Sequence, residues 1–124
     1  MVGSGGFTYE VVEGWEGLPD GYSWNEVVGV AVDDQDRVYA FNRGDHPMMV
    51  FDSDGNLLST WGEGVVGSAH HVFVGPDDSL YTTDIGDHTV RKWTTDGKIL
   101  MELGIPNKPP EAMSGKPFNR PTDV

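Results

Sequence analysis

The sequence contains no cysteine, and its 124 residues include only 8 lysines and arginines against 20 aspartates and glutamates. The missing cysteines exclude a disulfide framework, a thiolate zinc site and a cysteine nucleophile. The formal net charge of −12 disfavours binding to polyanions, because phosphates are recognised by clustered lysine and arginine side chains. We therefore expect neither nucleic acid nor an anionic membrane as a partner.

The chain also lacks long apolar runs and any helical period. The longest apolar run, Val27–Val32, is interrupted by Gly29 and is far too short to cross a bilayer. The first residues, Met1–Gly6, have neither the basic nor the apolar region of a signal peptide. We expect a soluble protein and make no prediction of its compartment. The hydrophobic fraction of 37% predicts that the chain folds.

A repeat runs through the middle of the chain. The segment Leu80–His88 aligns with Val38–His46, so that Tyr81 falls 42 residues after Tyr39, and the register continues without a gap. An aromatic residue, an Asp-Gly pair and a residue followed by glycine recur at the same offset: Phe51 and Trp93, Asp54-Gly55 and Asp96-Gly97, Trp61-Gly62 and Leu103-Gly104. A repeat of this length is typical of solenoids and propellers.

Each repeat contains four short apolar runs separated by turn residues, which predicts four antiparallel strands. Such units, repeated at about 40–45 residues, predict an all-β fold built from β-propeller blades. The pair Asp54-Gly55 predicts a type I′ turn, with positive φ at both central residues. The predicted strands are Val27–Val32, Val38–Asn42, Met48–Asp52 and Leu57–Trp61, then Val72–Val74, Ser79–Thr83, Thr89–Thr94 and Ile99–Leu103.

Partial units flank the two repeats. Alternating apolar residues followed by Trp15-Glu16-Gly17 resemble the end of the first repeat, and they predict a stray outer strand of a preceding blade over about 7–15. We expect an N-terminal segment over 1–23, blades over 24–64 and 65–104, and a proline-rich loop with the start of a third blade over 105–124. This length is under half of a six-bladed ring.

The loop and strand Gly86–Trp93 resemble the NHL-repeat propellers, whose blades carry a Gly-Asp-His loop before a Val-Arg-Lys-Phe-like strand. Within this family the sequence is similar to the N-terminal half of the peptidyl-α-hydroxyglycine α-amidating lyases, or peptidylamidoglycolate lyases. The matching stretches are Phe41–His46, Ala69–Val72, Thr83-Asp84 with His88, and Arg120–Val124. The resemblance implies a six-bladed propeller that breaks a C–N bond, releasing an amidated peptide and glyoxylate.

The resemblance also implies site residues and two metal cofactors, zinc and calcium. His70 matches the first of three histidines that hold zinc, although Ala69 and His71 replace the proline and glycine that usually flank it. The backbone carbonyls of Val30 and Val72 match calcium ligands. Arg43 matches a catalytic arginine that works beside a tyrosine base of the next blade.

The residues themselves support some of these roles. Arg43 breaks the repeat, because its partner is Ile85, and such local exceptions are typical of functional sites. His46 and His88 occupy equivalent positions, which favours a repeated loop contact over a metal pair. We expect His71 to pack between blades, and the acidic runs at the turns to be solvated. We expect the recurring aromatic residues, among them Phe73 and Tyr81, to form core between blades.

Two functions remain open. The first is a fragment of a lyase-like NHL propeller, acting on a peptide or a small molecule and inactive as an isolated chain. The alternative is a non-catalytic NHL-repeat binding module that self-associates to complete a ring, because open blade edges favour pairing with copies of themselves.

Overall fold

The computed structural model describes all 124 residues and consists of strands, turns and loops. It contains no helix that could span a membrane. The ten strands are β1 (Val2–Ser4), β2 (Phe7–Tyr9), β3 (Val27–Val32), β4 (Val38–Asn42), β5 (Met48–Phe51), β6 (Leu57–Trp61), β7 (Ala69–Val74), β8 (Leu80–Asp84), β9 (Thr89–Trp93) and β10 (Ile99–Leu103).

Eight of the strands form two antiparallel sheets in which sequential strands are neighbours. The first blade has the order β3-β4-β5-β6 and the second blade the order β7-β8-β9-β10, while β1 and β2 form a separate hairpin. The prediction of all-β, four-stranded blades is confirmed. The largest error in a predicted strand of the blades is at β7, which begins at Ala69 instead of Val72.

The two blades share one hydrophobic core. Their innermost strands β3 and β7 lie side by side, and a Cβ on Gly29 would come within 3.1 Å of Val72. At the outer strands, Trp61 packs against Trp93 with ring centroids 4.9 Å apart. The fully buried core residues are Tyr39, Phe41, Met48, Val50, Trp61, Ala69, Val72, Leu80 and Trp93. Phe73 does not join them, because its side chain lies on the uncovered side of the second blade and is 46% exposed.

The four hairpin turns at one end of the blades share one conformation, which corrects the type I′ prediction. In each turn the N–H of the fourth residue donates to the C=O of the first, and only the fourth residue has positive φ. This is a type I turn followed by a left-handed residue, which adds a bulge to the strand. The turns are 33–37, 52–56, 75–79 and 94–98, and we call this end of the blades the turn end.

Asp33 corrects the prediction that the acidic turn residues are solvated, because it is only 6% exposed. Its carboxylate accepts hydrogen bonds from the backbone N–H of Gln35, from the backbone and Nε of Arg37, and from the hydroxyl of Tyr39. Burial alone would raise the pKa of Asp33, but these hydrogen bonds outweigh it and lower the pKa. Asp33 therefore organises its turn from within.

The N-terminal segment covers the face of the first blade that points away from the second blade. Trp15 and Trp24 each lie 5.7 Å from Phe51, between ring centroids, and Leu18 and Tyr22 complete the cover. The predicted strand over about 7–15 is shorter than expected. Only Phe7–Tyr9 is a strand, and it pairs with β1, because a turn at residues 13 and 14 interrupts the extended chain.

We predict that Gly97→Ala destabilises the protein more than Gly64→Ala. Both glycines have positive φ, at 87° and 73°, so each alanine should cost about 1–2 kcal/mol of backbone strain. At Gly97 a Cβ would also lie 2.5 Å from the Trp61 ring, whereas at Gly64 it meets open space. Overpacking should add about 1–3 kcal/mol at Gly97, measured by urea unfolding. Equal losses in the two variants would contradict the role given to the Trp61 contact.

Candidate functional site

All four histidines of the chain lie at the end of the blades opposite the turn end. Antiparallel pairing places the starts of β3 and β7 beside the loops 43–47, 62–68 and 85–88. His46 and His88 lie in two of these loops, and His70 and His71 lie at the start of β7. We call this the histidine end, and it also holds Arg43.

Arg43 connects the two blades. Its Nε donates to the carbonyl oxygen of Ala69 at 3.0 Å, and its Nη1 lies 2.9 Å from a carboxylate oxygen of Glu26. The backbone N–H of Arg43 donates to the Asn25 carbonyl at 2.8 Å, which fixes the start of the loop. A guanidinium carries five N–H groups, so three remain available to a ligand.

His70 is the residue next to the carbonyl that Arg43 binds, so the structure brings the two predicted site residues together. The Nδ1 of His70 lies 2.9 Å from the carbonyl oxygen of Thr122. A carbonyl oxygen only accepts hydrogen bonds, so Nδ1 carries the proton and Nε2 keeps its lone pair. A backbone carbonyl on Nδ1 is the usual arrangement for a histidine that binds metal through Nε2.

His71 points to the other face of β7, where its Nε2 lies 3.2 Å from a carboxylate oxygen of Asp123. The segment 121–124 therefore runs beside β7, although it forms no strand. The predicted position of His71 between blades, and the predicted start of a third blade, remain predictions.

His46 and His88 do not share a repeated contact, which corrects that expectation. His46 stacks on Tyr22 at 4.3 Å between ring centroids, and its Nδ1 lies 2.9 Å from Glu63. Burial alone would raise the pKa of Glu63, but the hydrogen bond with His46 helps to lower it. His88 instead accepts the backbone N–H of Arg120 at 3.1 Å. The partners differ because they belong to the two segments outside the repeat.

The metal sites implied by the resemblance were examined through the donors present. No group of three or more histidine, aspartate or glutamate side chains is arranged to hold a metal ion. His70 fits as a single ligand, and a zinc site would need further ligands from outside these two blades. Val30 and Val72 lie on the neighbouring strands β3 and β7, and the role of their carbonyls as calcium ligands remains a prediction.

Asp84 is an important residue that the sequence reading did not single out. Its carboxylate accepts backbone N–H groups of Gly67 at 2.6 Å, and of Ser68 and Gly86 at 2.8 Å. It thereby joins two loops of the histidine end. The signal was present in the repeat, because Asp84 aligns with Asn42, whose side chain accepts the N–H of Gly44 at 2.7 Å.

Arg91 provides a second buried polar connection in the second blade and is 3% exposed. Its guanidinium is paired with Asp87 and with Glu102, and it lies 3.7 Å from Asp84. Burial alone would lower the pKa of Arg91, but these carboxylates raise it. Arg91 therefore stays charged and ties the loop 85–88 to β9 and β10.

Two meanders of four antiparallel strands, packed along their innermost strands, are blades of a β-propeller. Comparison with solved structures supports this class. A streptogramin B lyase matches 64% of this chain with a TM-score of 0.54 and 13% identity. A virginiamycin B lyase from Staphylococcus aureus matches 65% of it with a TM-score of 0.53 and 17% identity.

These likenesses concern the fold alone, because the identities are low. The matches cover only 26% and 27% of the two lyases, so the chain spans about a quarter of their length. No protein-family model and no curated protein matches the sequence.

We predict that zinc added to the ¹⁵N-labelled chain perturbs the His70 Nε2 resonance before the other imidazole nitrogens. The reason is the fixed Nδ1–H tautomer, which presents Nε2 as a ready donor. His70→Ala should reduce the apparent zinc affinity about tenfold, whereas His46→Ala, which removes a histidine stacked on Tyr22, should leave it unchanged. An equal effect of the two substitutions would contradict the assignment.

Proposed function

We propose that the chain forms part of an NHL-repeat propeller lyase similar to the peptidyl-α-hydroxyglycine α-amidating lyases, and that Arg43 and His70 are two of its site residues. The observation that carries the proposal is the Arg43 Nε bond to the Ala69 carbonyl at 3.0 Å, beside a His70 whose Nε2 is free. Two residues that the resemblance selects independently, 27 positions apart, thus meet at one joint between blades.

Arg43 suits the recognition of the substrate carboxylate. With Nε and one N–H of Nη1 already bound, the remaining N–H groups of Nη1 and Nη2 form a fork for a carboxylate. Glu26 does not remove this capacity, because its side chain is 62% exposed and a solvated ion pair is worth under about 1 kcal/mol.

The proposed reaction starts from an N-acyl-α-hydroxyglycine. Its hydroxyl loses a proton, the C–N bond breaks with its electron pair going to nitrogen, and nitrogen takes up a proton, which gives an amide and glyoxylate. Arg43 would hold the carboxylate through this change and His70 would serve as a metal ligand. When bound, zinc would make an oxygen ligand more acidic.

The base of this reaction would come from outside these two blades, as would two zinc ligands. We therefore propose that turnover belongs to a ring with further blades, and that the two blades described here contribute substrate binding and one metal ligand. Calcium held by the carbonyls of Val30 and Val72 is part of the same proposal.

We predict that the zinc-loaded chain binds benzoyl-α-hydroxyglycine through Arg43. The ligand should shift the Arg43 Nε resonance in a titration, and Arg43→Met should weaken binding at least about tenfold, as for a lost charge-assisted fork. Lys98→Met removes the same charge from the turn end and serves as the control. An analogue in which an alcohol replaces the carboxylate should not bind, and binding of that analogue would contradict the role of Arg43.

A self-associating binding module is the second candidate. It is favoured by β10, whose five residues are all exposed and whose outer edge is unpaired. This candidate predicts that the chain forms closed oligomers, with a mass that rises with concentration in sedimentation experiments. A stable monomer at all concentrations would remove it while leaving the lyase proposal intact.

A further inference from the structure

Trp15 lies against the first blade as Trp61 lies against the second blade. The Trp15 ring is 5.7 Å from Phe51, and the Trp61 ring is 4.9 Å from Trp93, which is the repeat partner of Phe51. The equivalent glycines of the two turns are close to the two tryptophans in the same way. A Cβ on Gly55 would lie 1.8 Å from Trp15, and one on Gly97 would lie 2.5 Å from Trp61.

The equivalence extends to the residues before Trp15. Trp61 ends β6, the outermost strand of its blade, and that strand begins with Leu57-Leu58. Counting back equally from Trp15 reaches Val11-Val12, and the outermost strand β10 begins with Ile99-Leu100. Residues 11–15 thus carry the pattern of an outermost strand, with two apolar residues and an apolar residue three positions later.

Residues 11–15 have no sheet to join. They form no strand, and the side chains of Val11 and Val12 are 71% and 67% exposed. The end of the segment is nevertheless fixed, because the Trp15 Nε1 donates to the Ser53 carbonyl and Gly17 donates to the Gly55 carbonyl. Gly14, at φ 67°, turns the chain, and a glycine can also adopt the extended conformation without a steric cost.

We propose that residues 11–15 are a docking strand, which completes as its fourth strand a three-stranded antiparallel blade of the same repeat. The partner is recognised by the unpaired main-chain groups at its outer edge, which is recognition by strand addition. Trp15 then holds the partner against the first blade, in the way that Trp61 joins the two blades. In a ring, this partner is the blade that precedes the first.

The chain can be made to present such an edge itself. Met101→Pro disrupts the pairing of β10 with β9, because proline has no N–H to donate. The core should remain, since every residue of β10 is exposed and Arg91 keeps its pairing with Asp87. The second blade would then have three strands and a free edge, and the docking strand of another copy should add to it.

We expect Met101→Pro to associate beyond the wild-type chain in sedimentation velocity. Hydrogen exchange of the amides of residues 11–15 should slow at least tenfold in the associated form. Adding Val12→Pro should abolish this association, whereas Val2→Pro, at a valine of similar exposure outside the docking strand, should not. The proposal is overturned if Met101→Pro fails to associate, if the amides of residues 11–15 stay unprotected, or if Val12→Pro has no effect.

A folding defect would be recognised by loss of the near-ultraviolet signal of the Trp61–Trp93 pair. Leu103→Pro then replaces Met101→Pro, because it affects only the last pair of the sheet, Leu103 with Val90. The same three outcomes decide the proposal with that variant.

Discussion

The packing of the first blade against the second is the interaction on which the rest of the structure depends. Trp61 fills the space above Trp93 at the outer strands, and Gly29 allows β3 and β7 to approach at the inner strands. This packing fixes the start of β7 beside the end of β4. The bond from Arg43 to the Ala69 carbonyl exists only because the blades meet in this register. The candidate site is therefore a property of the joint and of neither blade alone.

The fold was predictable because the repeat reports on it twice. Each strand and turn of the first blade has a counterpart 42 residues later, so a weak local signal in one copy is supported by the other. The turn type was wrong because the Asp-Gly signal does not distinguish a type I′ turn from a type I turn followed by a left-handed residue. The burial of Asp33 was missed because its donors Arg37 and Tyr39 come together only in the folded turn.

The site was predictable in part. Arg43 was found because it departs from its repeat partner Ile85, and its position beside His70 follows from the blade geometry. The contacts of Glu26, Thr122 and Asp123 were not predictable, because irregular segments outside the two sheets place them. The same cause explains why His46 and His88 have different partners. A repeat predicts what its copies share, and function at the histidine end depends on what they do not share.

The separation of charge between the two ends of the blades has a consequence for handling the molecule. The turn end carries eight aspartates, whereas all four histidines lie at the other end. These aspartates are Asp33, Asp34, Asp36, Asp52, Asp54, Asp77, Asp78 and Asp96. A charge distribution of this kind orients a molecule in an external field. On a cationic surface the protein should attach by its turns, so that immobilisation leaves Arg43 and His70 facing the solution.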